Sequence, residues 1–272
     1  MIKLFPKPLT SDMEIQKKYS WQVAMGLLVL FVLGALVNVP FSRELKRLKL
    51  KQRETDTKLM EPISSVLIDT GISSVIIGTI FIFIGLWVCR KANLGAPGLA
   101  AFFSKHSNLK YFSKKIMLFS IIIGSIIALI LLGLFEVQKI FYPIVAVNER
   151  PSKTFYILAS FSAAIIEEVI FRLGVMSLII TVIQYFKMEH PISNTVIWTG
   201  IILSSIIFGL IHLPMTSNFF ELTTFTICIT MIGNLITGCT FGWVYWKWGL
   251  LNAMLSHFVF DIFFHVVGSP FA

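Results

Sequence analysis

Seven apolar runs, each near or beyond the length of a bilayer-spanning helix, leave this chain few folds to choose from. A helix needs roughly 20 mostly apolar residues to cross a hydrocarbon core. Trp21–Pro40, Ile63–Val88, Ile116–Phe135, Phe155–Tyr185, Ile197–Leu213, Leu222–Trp246 and Leu250–Val267 meet or approach that length. Composition agrees: 14% of the residues are charged and 56% hydrophobic, where soluble domains carry about 25% charged residues. The runs are continuous rather than alternating with period two, which argues against a β-barrel. The expected fold is all-α, a polytopic membrane helical bundle of about seven transmembrane helices, or eight if a long run breaks or Ile140–Val147 joins in.

The formal charge of +9 and sequence pI ≈ 9.5 raise the question of an acidic partner. The basic residues sit beside the spans. Arg43, Lys46, Arg47, Lys49, Lys51, Arg53 and Lys58 follow the first, and Arg90, Lys91, Lys105, Lys110, Lys114 and Lys115 lie between the second and third. Juxtamembrane bases of this kind face cytoplasm or anionic headgroups, so membrane lipids are expected partners and nucleic acid is not. The two basic loops are one span apart and fall on opposite sides, so charge leaves the orientation open. Cys89, Cys228 and Cys239 lie in or at the ends of apolar runs and outline no disulfide framework. A polar stretch precedes Trp21 and no small-residue cleavage site follows, so the first run reads as a retained span of a multi-pass protein of the cell membrane.

Two parts emerge within one membrane domain. Residues 1–153 hold spans separated by basic loops, with Asp69 as their one internal acid. Residues 154–272 have shorter loops and polar groups inside the spans, and are expected to carry the chemistry.

Ionisable side chains within a span cost roughly 2.5–3.5 kcal/mol each on insertion scales, so they persist where they pair, line water or react. The set here is Asp69, Glu167, Glu168, Arg172, His212, His257, Asp261 and His265. Glu168 and Arg172 are i, i+4 on a helix and can pair. Glu167 points about 100° away and lacks that partner, which suits a carboxylate tuned as a general base. His212 closes the segment FGLIH just before Pro214, and His257 and Asp261 share one helix face as HFVFD. Gly238 and Gly242 have small-xxx-small spacing, expected to bring the His257 helix against its neighbour. Trp243, Tyr245, Trp246, Lys247 and Trp248 read as an interfacial belt at a tight turn. Asp69 and His265 are left outside the site, Asp69 as a structural carboxylate and His265 as a possible extension of the polar stripe.

The ordered set EExxxR (Glu167, Glu168, Arg172), FxxxH (Phe208, His212) and HxxxD (His257, Asp261) resembles the CPBP family, the CAAX-protease and bacteriocin-processing enzymes also called Abi proteins. The resemblance covers Phe155–Val267, under half the chain. It implies an intramembrane glutamic endopeptidase with its helices around a polar cavity. Glu167 and His212 match the pair that holds and activates a water, His257 and Asp261 the positions that stabilise the oxyanion, and Glu168 and Arg172 supporting positions. Asp261 departs from the asparagine that many members carry. A protonated aspartate can donate as an amide does, and an ionised one can orient His257 or bind a metal.

Amide hydrolysis without a covalent intermediate needs a base, oxyanion donors and an acid for the leaving amine, and these residues supply them without a cofactor. Zinc on two histidines and carboxylates is the less favoured reading, since HExxH spacing is absent. Two other functions use the same residues: a noncatalytic immunity or regulatory partner, and a proton-coupled transporter, against which no repeated half stands. The expected partner is a peptide or protein substrate entering from the membrane, whether a prenylated CAAX-type C-terminus or, preferred, a bacteriocin- or pheromone-like precursor. Oligomeric state is not legible.

Overall fold

Among the described residues, seven helices are long and apolar enough to cross a membrane: Ser20–Lys51, Ile63–Lys91, Lys114–Phe141, Lys153–Lys187, Asn194–Thr216, Thr224–Trp248 and Leu250–Val267. They come from a computed structural model that describes residues 13–52, 60–104, 113–144, 146–147, 149–188 and 191–268. Among these the chain is helical without a strand, apart from one isolated bridge between Ala146 and Phe220. Seven spans stand where seven or eight were expected, because the third ends at Phe141 and the following residues leave the helix.

The helices are α1 (Met13–Lys18), α2 (Ser20–Val37), α3 (Val39–Gln52), α4 (Ile63–Lys91), α5 (Pro97–Phe103), α6 (Lys114–Phe141), α7 (Lys153–Glu167), α8 (Ser177–Lys187), α9 (Asn194–Thr216), α10 (Thr224–Trp248) and α11 (Leu250–Asp261). Two π-helical segments, Glu168–Met176 and Ile262–Val267, join α7 to α8 and extend α11. Local chemistry sets several ends. The Ser193 hydroxyl accepts from Val196 N at the start of α9, and Thr223 and Thr226 form a reciprocal capping box on α10.

The first basic stretch is helical rather than a loop. Pro40 does not end the span, because it falls in the first turn of α3, where its missing N–H would have had no partner. Helix α3 turns Phe41, Leu45 and Leu48 inward, while its bases meet acids: Lys46 pairs with Glu61, Arg47 with Glu44 and Lys51 with Glu149. Arg53, Lys58, Lys105 and Lys110 lie outside the described residues. The break at Asn93–Gly98 leads into the short buried helix α5. Its irregular backbone is satisfied from elsewhere, with Ala96 N donating to Gln16 Oε1 and Leu250 N donating to Gly95 O. Cys89, Cys228 and Cys239 are free thiols.

Two close approaches position the helix that carries His257. A Cβ on Gly124 of α6 would collide with the Ser256 carbonyl of α11, so only glycine lets these two helices meet there. Gly249, at φ +82, makes the tight turn from α10 into α11. The Gly238/Gly242 pair does something other than expected: Gly238 lies on Ser205 and Gly242 on Ile201, so the pair packs α10 against α9, not against the His257 helix. One core runs through both halves of the chain, joining Leu27, Ile82 and Leu86 to Val169, Leu173 and Val244.

Gly124→Val is expected to destabilise the bundle by about 1–3 kcal/mol through overpacking against α11. Gly133→Val, on the same helix but facing open space, is expected to leave stability unchanged. Thermal unfolding of both variants in detergent measures the difference.

Candidate active site

Two adjacent carboxylates mark the point where α7 passes into π-helix, and they face different surroundings. Glu168 and Arg172 are fully buried, whereas the Glu167 side chain keeps a quarter of its surface exposed. Arg172 Nε stands 3.4 Å from Glu168 Oε2, the expected ion pair. The Arg172 nitrogens make no hydrogen bond among the described residues. The guanidinium carbon lies 5.1 Å from the centre of the Phe208 ring and 5.9 Å from that of Phe241, so the charge rests on ring faces as well as on its carboxylate.

His257 comes to the same place from α11. Its Nδ1–H donates to Glu168 Oε1 at 2.9 Å, and the ring stacks on Phe241 at 4.5 Å. Nε2 is thereby aimed at the other carboxylates, 3.8 Å from Glu167 Oε2 and 3.6 Å from Asp261 Oδ2. Glu168 therefore has two partners, Arg172 on its own helix and the imidazole of another, where the sequence suggested one.

His212 completes the group. Its Nδ1 is 2.8 Å from the Phe208 carbonyl; a carbonyl only accepts, so Nδ1 carries a proton, and in the neutral ring Nε2 presents a lone pair. That Nε2 is 3.8 Å from Glu167 Oε1. The end-of-run position of His212 is no obstacle, because α9 continues through Pro214 to Thr216 and the partner run extends over 35 residues.

Glu167, His212, His257 and Asp261 all line one cavity of about 460 Å³ enclosed by α6, α7, α9, α10 and α11. Most of its wall is apolar. Sequence reasoning left the other polar residues of that wall outside the site, among them His265, Asn234 and Arg150. His265 is 4.0 Å from Asp261 Oδ1 and stacks on Tyr156 at 5.3 Å; its i+4 spacing from Asp261 was the signal. Asn234, an amide in the middle of an apolar run, was legible as a polar group but not as a cavity residue. Arg150 lies in the loop before α7, where no motif marks it, and burial holds its guanidinium below the ordinary pKa. Asp69 does not approach the cavity: it is exposed on α4 and makes no ion pair among the described residues.

No three histidine, cysteine, aspartate or glutamate side chains among the described residues are arranged to hold a metal ion. One nitrogen of each site histidine is already committed, Nδ1 of His212 to a carbonyl and Nδ1 of His257 to Glu168.

A multi-pass, all-helical protein with carboxylates and histidines gathered in a cavity within the bundle is the class these features define. Residues 150–263 match the family model described as Rce1-like, Type II CAAX prenyl endopeptidase Rce1-like. The chain thus carries an Rce1-like domain of the CPBP family over that stretch, a family of CAAX-type intramembrane proteases. Neither a curated protein nor a solved structure matched the chain.

Arg172→Met leaves Glu168 as a buried carboxylate with only His257 for a partner and is expected to cost about 3–5 kcal/mol of stability. Tyr245→Phe removes a hydrogen bond to the Ser177 hydroxyl and is expected to cost about 1 kcal/mol. Denaturation in detergent ranks the two; equal effects would mean that the ion pair does not anchor the site.

Proposed function

We propose that the protein is an endopeptidase that hydrolyses a peptide bond of a membrane-associated precursor, with water activated by Glu167 and His212 and without a metal. The observation that carries this reading is the position of Glu167. Each of its oxygens faces one histidine Nε2 at 3.8 Å in the wall of the cavity. That separation is too long for a direct hydrogen bond, and a water beside the line between Glu167 and His212 can reach both at about 2.8 Å.

In this mechanism the water oxygen attacks the carbonyl carbon while Glu167 takes its proton. His212, its Nδ1–H held by the Phe208 carbonyl, orients the water through the Nε2 lone pair. The carbonyl oxygen becomes an oxyanion that accepts from His257 Nε2–H, and His257 is held for this by Glu168 through Nδ1. The C–N bond then breaks as Glu167 returns the proton to the amine nitrogen. Asp261, beside Nε2, keeps the ring turned toward the cavity and acts as a positioning residue. Glu168 and Arg172 support from the protein side. The apolar wall suits a substrate entering from the membrane, and a peptide precursor is the preferred one.

Purified protein in liposomes, incubated with a panel of membrane-associated precursor peptides, tests the reading. Glu167→Gln is expected to lose about 10²–10⁴-fold in rate, and His257→Ala about 10²–10³-fold. Cleavage that survives chelator supports the metal-free route, and loss that added zinc restores overturns it. If wild type cleaves nothing while Glu167→Gln and His212→Ala keep the cellular phenotype, the protein acts as a noncatalytic partner.

The role given to Asp261 has its own check. Asp261→Asn is expected to keep most activity, because the amide still fills the place beside His257, whereas Asp261→Ala is expected to fall well below it in kcat with little change in KM.

A further inference from the structure

One side of α10 meets the cavity with polar groups. Thr230 and Asn234 both line it and are i, i+4, so they stand one above the other on the same face of the helix. Part of their hydrogen-bonding capacity is already committed. Asn234 Nδ2–H donates to the Thr230 carbonyl at 2.9 Å. The Thr216 hydroxyl donates to the His212 carbonyl at 3.2 Å, so the Thr230 hydroxyl, 3.4 Å from Thr216 Oγ1, donates to that oxygen. What this face still offers is the Thr230 lone pairs together with Oδ1 and the second N–H of Asn234, which make no hydrogen bond among the described residues. Gly233, also in the cavity wall, faces open space: a Cβ there would meet no described atom within 4 Å. The face stands beside the candidate catalytic group. Across the α9–α10 contact a Cβ on Gly209 would lie 3.5 Å from Asn234 Cβ, and Thr216 meets Thr230, so His212 falls between the two levels.

We propose that Asn234 and Thr230 bind the main chain of an extended substrate and lay it alongside His212 and Glu167. This deepens the proteolytic reading and rests on it. A carboxamide with one N–H and its oxygen free carries the donor and acceptor that a residue of a neighbouring β-strand would present. Asn234 Oδ1 accepts from the N–H of one substrate residue while its free N–H donates to the C=O of the same residue, as in a hydrogen-bonded strand pair. Thr230 Oγ1 accepts from the N–H two residues along. The spacing suits this, since i to i+4 on a helix rises about 6 Å and same-side N–H groups of an extended chain recur about every 6.6 Å. A peptide arriving from the bilayer brings main-chain groups that find no water there, and each one left unpaired in an apolar cavity is costly. Recognition of this kind reads the main chain and not the side chains. A helical segment has its N–H groups already bonded and gains nothing at Asn234, so the segment bound here is one that is extended or unwound.

Two probes decide it, an S-farnesylated CAAX peptide and an unlipidated apolar peptide, each made as the all-amide chain and as a set in which one amide at a time, other than the scissile one, is replaced by an ester. The ester removes a single N–H and keeps the side chains. Cleavage is measured with the full-length protein in phosphatidylcholine liposomes. Wild type is expected to lose about tenfold in kcat/KM at one ester position, with smaller losses elsewhere. Asn234→Leu, which keeps the volume and suits an apolar helix, is expected to lose about tenfold on the all-amide chain and to show no further loss at that position. Losses of equal size at every position in wild type overturn the proposal. So does a lower rate in Asn234→Leu on every peptide with the positional pattern retained, the signature of an asparagine that only braces its own helix. Binding of the same peptides to Glu167→Gln protein with and without Asn234→Leu, followed by fluorescence anisotropy, reads the pattern without cleavage. If wild type cleaves neither probe yet binding shows an ester position that depends on Asn234, the proteolytic reading has failed while the main-chain site stands. No binding of either probe, or binding blind to every ester, overturns the site itself.

Discussion

A carboxylate buried among apolar helices must be matched by positive charge or by hydrogen-bond donors, and Glu168 has one of each. One oxygen faces Arg172, one turn along the same helix, and the other accepts from His257 on α11. An isolated ion in such a place costs tens of kcal/mol in an idealised apolar medium, and pairing repays it only where the geometry is right. The pair is thus better evidence of specificity than of net stability. Its partners come from four directions: the π segment gives the ion pair, α11 the imidazole, and α9 and α10 the Phe208 and Phe241 rings. A shift of any of these helices would expose or strip the charge, so their mutual positions are fixed at this point.

The π-helical turn is part of the same constraint. It begins at Glu168 and hydrogen-bonds i to i+5, so residues after Glu167 are rotated relative to a continued α-helix. Glu167, the last α-helical residue, faces the cavity, and Glu168, its neighbour, faces Arg172 and His257. The widened turn is held from behind: Ser177 Oγ donates to the Arg172 carbonyl, five residues back, and hydrogen-bonds Tyr245 of α10. Segments of this kind recur at functional sites because they aim adjacent side chains apart without breaking the helix.

Much of this was legible in the sequence, for a physical reason. The apolar runs report their own solvent, so the number of spans and their places follow from length and hydropathy alone, and the polar residues inside them stand out because each is costly there. Glu167, His212, His257 and Asp261 were visible in that way, and the structure brings them to one cavity wall. What sequence could not give is the pairing across helices. An i, i+4 rule finds Glu168 with Arg172 but has no means of finding Glu168 with His257, 89 residues away. Arg150 was illegible for the complementary reason: in a polar loop one more arginine is unremarkable until the fold turns it inward. The glycine pair Gly238 and Gly242 announced a close helix contact but not its partner, which proved to be α9.

The first half of the chain shows no motif of its own, and its packing accounts for that. Helices α2 and α4 press on α7 and the π segment from the side away from the cavity, through Leu27, Phe31, Ile82 and Leu86 against Ile165, Val169 and Leu173. Gly85 lets α4 approach the Leu173 backbone so closely that a Cβ there would lie 2.9 Å from its carbonyl oxygen. Helix α6 does the same for α11 through Gly124. These contacts ask for volume and smallness at a few positions, which many residue choices satisfy, whereas a polar cluster such as that of Glu167 and His212 asks for particular atoms. The family match covers residues 150–263, and of the helices that hold the π-helical turn and α11 in place, α2, α4 and α6 lie outside it.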